Sequence, residues 1–343
     1  MDQINMHPAK PTLKDVARVA GVSDATVSRV FSGADKVSPE TVKRVRQAAK
    51  KLSYTPNRLA RSLRKQQSRN LGLVLPGFDN VFYLEFIAEA VELGAEYDYS
   101  VLVTGSSAPE KNAVQLSQSG TVDALLIVAS HNPDPDVLRQ IEVPTVGLDR
   151  ALPGAHLTTF QVDNQDGATQ ITRHLIAQGA KRIAFIQGPE HIDSAEKRFS
   201  SFKEVLKDAG IPFEEKFVIR GDFHERSGRT AVRRLLEKKD SFDAIFAAND
   251  LMALGAIHEL SENGINVPGD VLVAGFDGIT QGEFIQPTLA TYRQPVRLIA
   301  RRALEEAMRL TKGETHFTPG SISQVKGELV LRTSIATPVS TML

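Results

Sequence analysis

No cysteine occurs in the 343 residues. Disulfides, thiolate zinc sites and cysteine nucleophiles are therefore excluded, a composition compatible with a reducing compartment. No apolar run reaches the roughly eighteen residues that a membrane-spanning helix needs. The first thirty residues carry Asp2, Asp15 and Asp24 and a helix-period pattern, without the basic start and apolar stretch of a secretory signal, so a cytoplasmic protein is expected. The motifs of common enzymes are also missing. There is no Gly-x-x-x-x-Gly-Lys phosphate loop, no Gly-x-Gly-x-x-Gly after a strand and no Gly-x-Ser-x-Gly elbow. His224-Glu225 lacks the second histidine of a zinc-protease helix, and the eight histidines show no metal spacing. No enzymatic activity, metal or cofactor is expected.

Net charge is zero overall, but it is unevenly placed. Residues 1–70 hold 15 Lys and Arg against 5 Asp and Glu, and the remainder is net −10. A basic head on an acidic body suits a polyanion-binding module fused to a body that repels nucleic acid. The length fits one small and one larger domain. We divide it into residues 1–56, 57–70 and 71–343.

Within the head, Thr12-Leu13-Lys14-Asp15 has the spacing of a capping box, with Asp in place of Glu. Leu13, Val16, Ala17 and Ala20 then share one helical face, and Gly21 stands where a residue at positive φ would end the helix. Ser23 is placed to cap a second helix, Asp24 to Phe31, with Val27, Val30 and Phe31 inward and Asp24, Ala25, Ser28, Arg29 and Ser32 outward. Two short helices about a glycine turn form a helix-turn-helix, whose second helix presents its outward residues to the major groove. Ser38-Pro39-Glu40 opens a third helix reaching about Leu52. The segment Asn57–Arg64 is a basic stretch of two helical turns, too short to be stable alone and expected to order only against DNA.

From Leu71 the texture changes to apolar runs alternating with helical stretches. The runs are Leu71–Leu75, Val101–Thr104, Ala124–Ala129, Thr145–Leu148, Ile183–Gln187, Ala244–Ala248 and Val271–Phe276. This alternation predicts βαβ units and parallel sheets covered on both faces. A weak internal duplication is visible. Leu71–Leu75 then Pro76-Gly77 leads to a helix ending near Gly94, and Ile183–Gln187 then Gly188-Pro189 to one ending near Gly210. Two doubly wound lobes with a cleft between them follow, with ligand beyond the carboxyl ends of the strands. Polar and aromatic residues at those ends are Phe82, Tyr83, Asp149, Arg150 and Asp163 in the first lobe, and Ser194, Arg198, Phe223, Asn249 and Asp277 in the second. Carboxylates and guanidinium groups pair with vicinal hydroxyls, and aromatic faces cover apolar ring surface. Asn249, Asp250 and Asp163 are equally placed to cap helices, Asp163 one starting near Gly167.

Thr12-Leu13-Lys14-Asp15-Val16-Ala17, Gly21-Val22-Ser23, Ala25-Thr26-Val27-Ser28-Arg29-Val30 and Tyr54-x-Pro56-Asn57 resemble the signature of the LacI/GalR repressor family. The resemblance extends through Val162-Asp163-Asn164, Ala248–Gly255, Gly275-Phe276-Asp277 and Leu329–Ser334. It implies an all-α helix-turn-helix head on an α/β two-lobed core of the periplasmic-binding-protein type. It also implies that Asp24, Ala25, Ser28, Arg29 and Ser32 face base edges. Thr12, Ser23, Thr26 and Asn57 would face phosphates. Arg58 and Ala60 lie on the same DNA-contacting segment, and Leu63 sits where the family inserts a leucine wedge into the minor groove. Arg198, Phe223 and Asp277 match effector contacts most directly.

The function implied is a homodimeric, sequence-specific repressor of carbohydrate-metabolism genes at the bacterial nucleoid. Its partners would be double-stranded operator DNA and a sugar or sugar phosphate effector. A solute-binding protein for transport would suit the body alone, but not the basic head. A regulator whose corepressor is a phosphorylated carrier protein is not separated from the first reading by sequence.

Overall fold

A computed structural model describes residues 11–32, 37–54, 67–152, 156–238 and 240–335. The chain divides after Ser68 into two units.

In the head, α1 (Leu13–Ala20), α2 (Asp24–Ser32) and α3 (Pro39–Lys51) surround one small core. The Thr12 hydroxyl accepts from the Asp15 amide, and the Asp15 carboxylate accepts in return from the Thr12 amide at 2.9 Å. Both ends of the first turn are thereby satisfied. Gly21 ends α1 at φ 65°, a left-handed conformation that costs glycine little. Ser23 accepts from the Thr26 amide at 3.2 Å and Ser38 from the Thr41 amide at 3.4 Å, so α2 and α3 also start on hydroxyl caps. Val16, Ala17, Ala20, Val27, Val30, Val45, Ala48 and Ala49 are buried together, with Leu13, Phe31 and Tyr54 at the margin.

The body opens with β1 (Asn70–Leu75), α4 (Phe82–Glu96), β2 (Ser100–Gly105), α5 (Pro109–Gln118) and β3 (Ala124–Ile127). A single turn α6 (Pro135–Leu138), β4 (Thr145–Leu148), β5 (Thr159–Val162) and α7 (Asn164–Ala177) follow. The second half contains β6 (Ile183–Gln187), α8 (Asp193–Asp208), β7 (Val218–Arg220), α9 (Glu225–Glu237) and β8 (Ala244–Ala247). It continues with α10 (Asp250–Glu262), β9 (Leu272–Asp277), β10 (Ala290–Arg293), α11 (Val296–Leu310), β11 (Ile322–Val325) and β12 (Glu328–Val330). Arg69 and Asn70, placed in the linker by sequence, belong to this unit. The Arg69 amide donates to Asp123 at 2.9 Å, and Asn70 begins β1.

Among the described residues two six-stranded sheets form, in the orders β11-β5-β4-β3-β1-β2 and β12-β10-β9-β8-β6-β7. The two orders are the same pattern repeated, so the duplication read from two segments covers both lobes. Neighbours are parallel except β10 with β12. Central strands such as Ala124–Ile127 and Ala244–Ala247 are buried throughout, because helices cover both faces of each sheet. The chain passes between lobes three times, after β5, after β10 and after β11.

One hydrogen-bonded cluster draws these crossings together. The Tyr292 hydroxyl donates to Asp166 at 2.7 Å and accepts from the Gly327 amide at 2.8 Å, while Lys326 lies 3.4 Å from Asp166. Burial would raise the Asp166 carboxyl, yet hydrogen bonds from Tyr292, Gln170 and Lys326 outweigh it and lower its pKa. Tyr292→Phe is expected to lose about 1–3 kcal/mol of stability, read as a lower urea midpoint, because two partners lose a hydrogen bond at once.

On the second lobe, Glu259 of α10 receives Arg233 of α9 at 2.7 and 2.9 Å and Arg229 at 3.0 Å. The Arg233 hydrogen bonds, opposed by burial and aided by Arg229, hold its carboxyl down at about 2. A depressed carboxyl contributes stability at pH above its ordinary 4.5 that is lost as pH falls toward 2. The melting temperature of the native protein should therefore exceed that of Glu259→Gln at neutral pH. The gap should shrink through that acid window, and a gap constant across it would remove this role.

Candidate functional site

The parallel strands of both lobes end at one cleft. Asp149 and Arg150 follow β4, Asn249 follows β8, Asp277 ends β9, and Ser194 and Arg198 stand on the first turns of α8. With Asn80, Phe82, Tyr83 and Phe223 these residues line a cavity of about 250 Å³, its mouth included. At the rim, His224 of the second lobe lies 3.5 Å from Asp79 of the first.

Each lobe contributes a buried carboxylate beside a guanidinium. In the first, Arg150 donates to the Ala129 carbonyl and to the Tyr83 hydroxyl, both at 2.9 Å, and Tyr83 donates to Asp149 at 3.3 Å. Arg150 Nε lies 3.7 Å from Asp149 and has no hydrogen-bond partner. Burial pushes the Tyr83 phenol up, so it stays a neutral donor. In the second lobe, Arg198 donates to Asn164 at 2.8 Å and to the Ala248 carbonyl at 2.6 Å, and its guanidinium lies 3.7 Å from the Phe276 ring centroid. Arg198 Nη1 stands 3.7 Å from Asp277, which accepts from Gln294 at 2.8 Å. Burial raises the Asp277 carboxyl well above its usual range, with Arg198 opposing. Beneath it, burial pushes Asp250 up to about 6, against hydrogen bonds from Thr291 and the Ile279 and Gly278 amides.

Three lining residues hold backbone conformations that side chains disfavour: Asp149 at φ 62°, Phe223 at φ 69° and Asp277 at φ 130°. Each costs of order 1–3 kcal/mol and persists only where the surroundings impose it, a pattern that clusters at ligand sites.

The profile of bacterial regulatory proteins of the lacI family matches residues 12–57, and that of the periplasmic binding protein-like domain matches residues 172–335. The HTH-type transcriptional regulator CelR of Thermobifida fusca is 36% identical over 317 residues, spanning 89% of this chain and 93% of CelR. The chain belongs to the LacI family. A solved structure of the Lac repressor dimer bound to operator and the anti-inducer ONPF matches with a TM-score of 0.86 at 28% identity, covering 95% of this chain and 99% of that one. The CelR–cellobiose complex matches with a TM-score of 0.72 at 32% identity, covering 94% and 99%. LacI-family proteins are transcriptional regulators and not enzymes, so this chain is a regulator with a helix-turn-helix head and a two-lobed, ligand-responsive core. Among the described residues, no helix is long and apolar enough to cross a membrane.

Of the cleft residues singled out by sequence, this regulator brings together Phe82, Tyr83, Asp149, Arg150, Ser194, Arg198, Phe223, Asn249 and Asp277. Asp163 is not among the lining residues. Its carboxylate caps α7 by accepting from the Asp166 amide at 3.0 Å, and α7 starts at Asn164, earlier than the expected Gly167. Asn249 lines the cavity and also caps α10 through the Met252 amide, and it donates to the Phe223 carbonyl, each bond at 3.0 Å. Asn80 lines the cavity and was missed, although its place in the loop after β1 put it at a carboxyl strand end.

On the head, Asp24, Ala25 and Arg29 are exposed on α2, Thr26 and Ser28 are half-buried, and Ser32 ends the helix. Thr12 and Ser23 are exposed at the starts of α1 and α2. Asn57, Arg58, Ala60 and Leu63 lie outside the described residues.

Proposed function

We propose that this regulator represses genes of carbohydrate metabolism, binds its operator as a homodimer, and takes an uncharged sugar in the interlobe cleft. The observation that carries the reading is the pairing of charges there. Arg150 faces Asp149 and Arg198 faces Asp277, each at 3.7 Å, so neither guanidinium stands without a counterion. A sugar phosphate would bring its charge beside two carboxylates, whereas a neutral polyol engages both partners of each pair. Phe223 offers an apolar face to the ring. The similarity to CelR, solved with cellobiose, supports a sugar, and the similarity to the Lac repressor dimer on operator supports the DNA target and a dimer.

In DNA recognition, Asp24, Ala25, Ser28, Arg29 and Ser32 read base edges, and Thr12, Ser23, Thr26 and Asn57 hold phosphates. The segment carrying Arg58, Ala60 and Leu63 contacts the minor groove. Sugar binding changes the angle between the lobes and so the presentation of that segment, by as much as the sugar's affinity differs between the two states.

A melting-temperature screen of neutral sugars, sugar phosphates and nucleosides tests the effector class, since a ligand of the folded state raises its midpoint. A neutral sugar should raise the midpoint and change operator affinity in the same concentration range. Stabilisation by phosphorylated sugars alone would overturn the assignment.

A further inference from the structure

Asp250 opens α10 directly after the cavity residue Asn249, yet it is 0% exposed. A carboxylate is costly to take out of water unless its oxygens are paired. Those pairings lie outside its own helix, which Asn249 already caps. Oδ2 accepts from the Gly278 amide at 2.7 Å and the Ile279 amide at 2.9 Å, and Oδ1 accepts from the Thr291 hydroxyl at 2.6 Å. The other side of the same turn is held as well, because the Gln294 amide donates to the Asp277 carbonyl at 2.9 Å. The peptide between Asp277 and Gly278 is therefore gripped at both its N–H and its C=O. It joins two residues at positive φ, 130° for Asp277 and 83° for Gly278. Glycine adopts that region freely, whereas an aspartate is held there only by its surroundings. Gly275 leaves the carboxylate its room, since a Cβ on Gly275 would collide with Asp250 Oδ1.

We propose that Asp250 is a positioning residue that sets the backbone of Asp277 and so aims the Asp277 carboxylate at the sugar. The aim rests on the sugar reading of the cleft; the grip does not. Asp250 is absent from the cavity lining, whereas Asp277 belongs to it, so Asp250 acts through its neighbour's peptide. With the grip released, that peptide turns over and Asp277 relaxes toward negative φ. Its carboxylate then leaves the position it shares with Gln294 and Arg198. Asparagine at position 250 keeps one oxygen for the two amides, and its NH2 donates to the Thr291 hydroxyl, which accepts as well as donates. Leucine there has a similar size and offers no acceptor. The two substitutions therefore separate the grip from the packing.

Hydrogen–deuterium exchange of the full chain without ligand, read by mass spectrometry at residues 278 and 279, tests the grip. Asp250→Leu should speed exchange there about tenfold or more, with β8 and β9 still protected, and Asp250→Asn should stay within about threefold of the native protein. Titration calorimetry then tests the aim. Its probe is whichever of D-glucose, D-galactose, D-ribose and cellobiose most raises the native melting temperature. Kd should weaken about tenfold or more in Asp250→Leu and be largely restored in Asp250→Asn. A merely structural Asp250 would lower the melting temperature of Asp250→Leu and leave the Kd of the folded protein unmoved. Should Asp250→Leu fail to fold, Thr291→Val, which withdraws the donor to Oδ1 and keeps the shape, replaces it with about threefold shifts in the same directions. Native-like exchange in the folded variant, or faster exchange with undiminished sugar affinity, overturns the proposal. Failure of all four sugars on the native protein counts against the sugar reading instead, and the exchange comparison still decides whether Asp250 sets the backbone of Asp277.

Discussion

Arg198→Ala is expected to abolish the sugar response of operator binding while lowering the stability of the body by about 3–5 kcal/mol. Arg198 is 3% exposed, spans from Asn164 to the Ala248 carbonyl, and stacks on Phe276. Its removal strands Asp277, a carboxyl 5% exposed whose nearest cation is gone. Two losses are thus mixed, and a second variant separates them. Arg198→Leu combined with Asp277→Asn removes the stranded charge, so much of the melting temperature should return while the sugar response stays lost. Recovery of the response along with the stability would show that the pair supports the fold and does not touch the ligand. Operator affinity without sugar is the internal control and should change little in the double variant.

Arg29→Ala is expected to cost about 1–3 kcal/mol of specific operator binding, with a much smaller loss on random duplex. Arg29 is exposed on α2, on the face away from buried Val27 and Val30. A guanidinium there suits a bidentate contact to one guanine, which discriminates between sequences. Arg18→Ala gives the contrast. Arg18 sits on α1 and is tied to Asp15 at 2.7 Å, so its loss should leave sequence preference intact and act, if at all, on both DNAs alike. Binding isotherms on operator and random duplex at several salt concentrations separate the outcomes. Equal losses for Arg29→Ala on both DNAs would rule out base reading.

The head was legible almost to the residue because its information is local. Caps at Thr12, Ser23 and Ser38 and the left-handed Gly21 set each helix end within a few residues of the side chain responsible. The buried central strands were legible for a related reason, since a strand covered on both faces is a continuous apolar run. What escaped was the periphery. β7 has three residues, β11 reads Ile-Ser-Gln-Val with mostly open side chains, and β12 is half-exposed, so none carries an apolar run. β5 and β10 are buried but include Gln161 and Thr291, whose polarity hides them. The cavity was legible as strand ends. Its strain was not, because nothing in the letters Asp149, Phe223 or Asp277 announces a positive φ. Asp163 shows the remaining ambiguity: a carboxylate at a strand end is also one residue before a helix, and there the amide was nearer.

The threefold passage of the chain between lobes has a consequence for how the protein is made. The first lobe is not a contiguous stretch: its edge strand, Ile322–Val325, joins Thr159–Val162 from some 160 positions downstream. During translation the head is complete and free of the ribosome long before either lobe has all its strands. A premature stop after Leu310 would strip an outer strand from both sheets at once, leaving a DNA-reading head on a body that has lost its last two crossings.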